Sequence, residues 1–86
     1  MQTTEILITN NNGVHTRPGA QLVKACKQFN SEITIENKGK NVNARSLIKL
    51  LGAGICKNDT IKLHVHGIDE KNASEYLTRF LRELEH

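Results

Sequence analysis

Aromatic residues are nearly missing from this chain. They make up 3% of its 86 residues: one tyrosine, two phenylalanines and no tryptophan. Single-stranded nucleic acid is held largely by bases stacking on such rings, so that function has little to work with. Apolar runs are short as well; none approaches the ~18 residues of a membrane-spanning helix. The N-terminus carries no signal-peptide pattern, so the expected compartment is the cytoplasm, without membrane insertion. The two cysteines, Cys26 and Cys56, have neither CxxC spacing nor a Cys/His cluster around them. That argues against a zinc site or a disulfide framework, and both are expected to be buried thiols. There is no GxxxxGK[ST] loop and no evident set of metal carboxylates, so no nucleotide, metal or other cofactor is expected.

The chain is 37% hydrophobic and 24% charged, with a formal net charge of +3. This composition suits one globular domain with a modest core and a mildly basic face for an acidic partner. The closing Leu84-Glu85-His86 matches the start of a purification tag, so His86 is given no functional weight.

Periodicity supplies the elements. "EILIT", Glu5 to Thr9, reads as a strand with Ile6 and Ile8 on one side. Pro18 fits the first turn of a helix whose apolar face is Leu22, Cys26 and Phe29, ending near Asn30. "SEITIEN" puts Ile33 and Ile35 inward and Thr34 and Glu36 outward. A turn near Gly39 leads to a short strand around Val42, pairing back as a hairpin. Ser46 is placed to cap a short helix from Leu47 to about Leu51, stopped by Gly52 and Gly54. "TIKLHVH" alternates Ile61, Leu63 and Val65 with Lys62, His64 and His66. Asp69 is the expected cap of a last helix with a core stripe of Ala73, Tyr76, Leu77, Phe80, Leu81 and Leu84. The order β-α-β-β-α-β-α predicts an α+β open-faced sandwich: a four-stranded antiparallel sheet covered on one side by three helices.

The candidate chemistry lies in "NNNGVHTRPGAQL", Asn10 to Leu22. His15 and Arg17 stand where a helix begins, at its electropositive end. Positive groups there cost stability unless an anion joins them. The free N–H groups of a helix start form an anion site, and a guanidinium suits phosphate oxygens. A neutral imidazole is a nucleophile that can carry a covalent group. On these residues alone, a phosphoryl acceptor and an ordinary solvated loop remain equally open.

"GVHTRPGAQLV" closely resembles the active-site segment of HPr, the histidine-containing phosphocarrier family of the bacterial phosphoenolpyruvate–sugar phosphotransferase system. The likeness continues through "SEITI", "KGK", "ARSLIKLL" and the "G-x-DE" start of the last helix, so it spans essentially residues 1–86 as one domain. The resemblance implies that His15 takes a phosphoryl group on Nδ1 from Enzyme I and gives it to the IIA domains of sugar permeases, with Arg17 assisting. It implies a carrier rather than a turnover enzyme. Many family members have alanine at the position of Gly19 and leucine at that of Val14. In many relatives, mainly Gram-positive ones, the serine matching Ser46 is phosphorylated by a dedicated kinase; a serine kinase/phosphorylase is therefore a further expected partner. A phosphate at a helix N-terminus would be well tolerated.

The short helix has more apolar residues than one core stripe needs. Leu47, Ile48 and Leu51 cannot all point one way, so some are expected in solvent as a docking surface rimmed by Lys24, Lys27, Arg45 and Lys49. Thr16 and Ala20 join this phosphate- and partner-binding set. The resemblance likewise implies docking through the first and the short helix. Other readings stay in view: a paralogue serving a nitrogen-related or fructose-specific chain, a nucleic-acid-binding α/β module, and a metal-binding module. His64 and His66 have a metal-compatible i, i+2 spacing but no third ligand, and a solvated sheet face is expected.

Overall fold

The computed structural model describes residues 1–9 and 16–83. Four strands are present: β1 Gln2–Leu7, β2 Glu32–Asn37, β3 Lys40–Asn43 and β4 Thr60–His66. The helices are α1 Thr16–Cys26, α2 Leu47–Gly52 and α3 Glu70–Arg82. The sheet order is β1-β4-β2-β3 and every neighbouring pair is antiparallel. β1 and β2 thus run parallel with β4 between them, and β3 and β4 run parallel with β2 between them. Two split βαβ units interlock, each with its helix on the same side of the sheet.

Side-chain alternation builds the core. One row across the sheet reads Val42, Ile35, Leu63 and Thr4, and the next pairs Ile33 with Val65. Ile6 and Ile8 are buried while Leu7 between them is exposed, the period of a strand with one wet face. Leu22, Cys26, Leu50, Ala73, Leu77 and Leu81 close the core from the helices. The β2–β3 hairpin turns at Lys38 and Gly39 with φ of 54° and 82°. Two successive positive φ values are what a tight two-residue hairpin with right-twisted strands requires, and glycine adopts them without strain.

Several expectations need correction. β1 starts earlier and stops at Leu7; Ile8 instead bonds the turn before β4, donating to Asp59 O at 2.9 Å and accepting from Asn58 N–H at 2.7 Å. α1 ends at Cys26, short of Asn30. Beyond it the bonds tighten to i→i−3, Gln28 to Ala25 and Phe29 to Cys26, because the next backbone groups have tertiary partners. Phe29 O and Ser31 O accept from Arg45 Nη2, and Asn30 N–H donates to Asp69.

Asp69 occupies the N-cap position of α3 but makes no side-chain cap bond. Its carboxylate accepts from the Ser31 hydroxyl and, at 2.9 Å, from Asn30 N–H. The Ser31 hydroxyl, then the Asn30 amide, hold its pKa below the usual carboxylate value. Tyr76 leaves the core stripe: it is 47% exposed, its ring tilted against Phe29 at 5.6 Å. Cys56 is exposed, not buried. Leu84 of the same stripe, with Glu85 and His86, lies outside the described residues.

Candidate functional site

α1 starts at Thr16 with no acidic residue in its first turn. Its opening N–H groups lack intrahelical partners, and no carboxylate there offsets the positive end of the dipole. Thr16 and Arg17 are exposed, whereas Pro18 and Gly19 are buried. The outer side of α1 and of the turn that follows it carries Arg17, Ala20, Gln21, Lys24, Lys27 and Gln28, all exposed. Their spacing of three and four residues makes one continuous stripe. Lys24 and Lys27 therefore lie where they were expected. Gln21 and Gln28 share the stripe and were missed, although the same helical spacing from Arg17 and Lys24 would have found them. His15 and the loop from Asn10 lie outside the described residues.

α2 packs against α1 and β3. Ser46 caps it with extended backbone, its hydroxyl accepting from Lys49 N–H at 3.4 Å. With one turn and a half, the helix cannot hide all its apolar residues. Leu50 is fully buried, Leu47 is half-buried against the core, Leu51 is 36% exposed and Ile48 is 84% exposed. The expected division between core and surface is met, with Ile48 at the crest and Lys49 exposed beside it.

Arg45 does not belong to the rim. Its guanidinium donates to Phe29 O and, at 2.9 Å, to Ser31 O, which pins the end of α1 to the start of β2. Sequence spacing places it next to Ser46, but the Phe29 and Ser31 carbonyls between α1 and β2 capture it. It also lies close enough to Cys26 to act on its thiol. Burial pushes that thiol from 9.0 up to about 12, and the Arg45 charge offsets only part of the rise.

On the open face of the sheet, His64 Nε2 meets Glu36 Oε1 at 3.2 Å and His64 Nδ1 lies 3.1 Å from Thr3 Oγ1. His64 is half-buried and braces three strands, while His66 is exposed with Glu70 Oε1 at 3.9 Å. Among the described residues no group of three or more His, Cys, Asp or Glu is arranged to hold a metal. No helix among them is long and apolar enough to cross a membrane.

α1 thus begins with no acidic residue in its first turn, its outer side is cationic, and α2 beside it exposes Ile48. A family model described as "PTS HPr component phosphorylation site" matches residues 2–83. The chain belongs to the HPr family. The phosphocarrier protein HPr of Buchnera aphidicola subsp. Baizongia pistaciae is 52% identical over 80 residues, covering 93% of this chain and 94% of that one. A multiphosphoryl transfer protein of Salmonella typhimurium is 42% identical over 72 residues, covering 80% of this chain but only 19% of that longer protein. Among solved structures, HPr-C-His from Thermoanaerobacter tengcongensis superposes with a TM-score of 0.90 at 33% identity, covering 94% of this chain and 91% of that one. The HPr fold accounts for the β1-β4-β2-β3 sheet and its three helices, and places α1 and α2 in one layer.

Proposed function

We propose that this protein is a phosphocarrier that accepts a phosphoryl group on His15 from phospho-Enzyme I and passes it to the IIA domains of sugar permeases. The observation that carries the reading is the HPr family match over residues 2–83, which includes the His15-Thr16-Arg17-Pro18 element. In the forward step His15 Nδ1 attacks phosphorus, an N–P bond forms, and the bond from phosphorus to the donor breaks. Arg17 and the first amides of α1 hold the phosphoryl oxygens, and the transfer runs in reverse chemistry on the acceptor protein. The protein turns nothing over alone; it is a cytoplasmic carrier between two proteins, one domain long. Thr16, Ala20, Lys24 and Lys27 on α1, with Leu47, Ile48, Lys49 and Leu51 on α2, form the docking face.

Ser46 serves as a helix cap and as a regulatory site for a serine kinase/phosphorylase. A phosphate there would add negative charge at the start of α2 and repel an acidic partner approaching Ile48. The test is incubation with phosphoenolpyruvate and Enzyme I, followed by mass spectrometry. One acid-labile phosphate is expected, absent in His15→Ala. No adduct, or one that survives the substitution, overturns the proposal.

A further inference from the structure

We propose that Asn37 and Asp59 are positioning residues for phosphoryl transfer: together they tie the docking helix α2 to the root of the segment that carries His15. The inference rests on the phosphocarrier reading and deepens it.

Asn37 is the last residue of β2 and is 2% exposed, one of few buried polar side chains among the described residues. Its Nδ2 donates to Ala53 O at 3.1 Å and to Asp59 Oδ2 at 3.4 Å. Ala53 is the C-cap of α2, so the amide holds that helix at the end away from Ser46. Asp59 in turn closes its own loop. Its Oδ2 accepts from Cys56 N–H at 2.9 Å, and its N–H donates to Cys56 O at 3.1 Å. That closed turn grips Ile8 on both sides, through Asp59 O and Asn58 N–H. Ile8 is buried, and Thr9 is the last described residue before the segment containing His15.

The path is therefore continuous: α2 C-cap, Asn37, Asp59, the Cys56–Asp59 turn, Ile8. It joins the helix that presents Leu47, Ile48 and Leu51 to the strand end from which the His15 segment departs. An apolar residue at position 37 could fill the space, but it could not fix the Ala53 carbonyl relative to Asp59. Buried polar groups with satisfied partners define one arrangement rather than merely adding density.

The other end of β2 provides a control. Ser31 precedes β2 and is bonded to Asp69 before α3, remote from this path. The experiment measures phosphorylation by Enzyme I with the full-length carrier as varied substrate, beside thermal unfolding, for wild type, Asn37→Ala, Asp59→Ala and Ser31→Ala. Asn37→Ala and Asp59→Ala are expected to raise the KM for the carrier about fivefold or more, with kcat held within about twofold, as for a lost binding geometry. Ser31→Ala is expected to lower the unfolding temperature without moving KM. Asp59→Asn, which keeps an acceptor for Cys56 N–H, gives the reading if an alanine variant does not fold; a smaller rise in KM is expected. Unchanged KM in the folded variants overturns the inference, as does an equal rise in Ser31→Ala. Failure of the wild type to take phosphate would instead overturn the phosphocarrier reading.

Discussion

Gly67 links β4 to α3 at φ +155°, and replacing it by alanine should be among the most damaging single-methyl additions in the protein. A Cβ built there lies 2.7 Å from both Ser31 Cα and Ser31 Oγ. Cα belongs to the backbone at the head of β2 and cannot retreat as the tip of a long side chain would. Two costs add. A residue with a Cβ in the positive-φ region costs about 1–2 kcal/mol. Forcing extra volume into a packed site costs about 1–3 kcal/mol more. The total of about 2–5 kcal/mol is large beside the 5–15 kcal/mol typical of a whole domain. Gly39 isolates the first cost, because it has φ +82° but nothing within 4 Å of its would-be Cβ. Gly39→Ala should show backbone strain alone. Urea unfolding of both variants beside wild type gives the answer: Gly67→Ala should be less stable than Gly39→Ala by about 1–3 kcal/mol. Equal losses, or a milder loss at Gly67, would refute the reasoning.

Ile48→Ala should change stability by less than about 0.5 kcal/mol, because Ile48 is a surface residue, whereas Leu50→Ala should cost about 2–5 kcal/mol from a fully buried site. Binding to Enzyme I should weaken in Ile48→Ala; equal stability losses in urea would contradict the division of α2. Asp69 is held below its ordinary 3.8 by the Ser31 hydroxyl and the Asn30 amide, and Glu70 below 4.5 by the amino terminus and Gly67 N–H. Such carboxylates favour the folded state when ionised, so their contribution is full above the ordinary values and lost as pH falls through the lower folded ones. Urea midpoints should hold from neutrality to about pH 5 and then fall, less steeply in Ser31→Ala; an unchanged acid slope would oppose the assignment. Thiol labelling at neutral pH should modify Cys56 quickly and Cys26 only after unfolding, since the Cys26 thiol is buried and pushed up to about 12. Rapid native-state labelling of Cys26 would be inconsistent with that burial.

Strand alternation and helix periodicity make the architecture readable in the sequence. Ile33, Ile35, Ile61, Leu63 and Val65 follow a period of two, and each points into the core. Local chemistry made Ser46 and Gly39 readable too, because a cap and a tight hairpin depend on neighbours in the chain. The failures occur where a distant partner outbids a local one. Asp69 has the residue type and place of a helix cap, yet Ser31 and Asn30 claim its carboxylate from across the molecule. α1 has apolar spacing through Phe29, yet its end tightens to i→i−3 bonds, and Arg45 takes the Phe29 and Ser31 carbonyls where the chain turns into β2. Asn37 had no signal in the sequence, since one amide at a strand end looks like any turn residue. His15 and Arg17 ahead of a helix pattern suggest an anion site, but on those residues alone a solvated loop is equally open. What tips the balance toward a phosphoryl acceptor is the likeness of the whole segment to HPr.

The capture of Arg45 also bears on how the proposed docking face stays available. Polar ties lie at both ends of β2: the Ser31 hydroxyl holds Asp69 ahead of α3, Arg45 holds the Phe29 and Ser31 carbonyls, and Asn37 with Asp59 holds the C-cap of α2. Each draws its partners from backbone carbonyls, amides and short side chains inside the fold. The side chains of Arg17, Lys24, Lys27 and Lys49 form no ion pair among the described residues. A cation already paired within the fold would have to break that pair to meet an acidic partner. If α1 and α2 form the proposed docking face, cations with no ion pair among the described residues would meet a partner without that cost, and their charge would speed encounter more than it tightens the final complex. In the proposed carrier role, which requires release of each partner in turn, this division is an advantage: internal bonds set the shape of the face, and its side chains stay uncommitted.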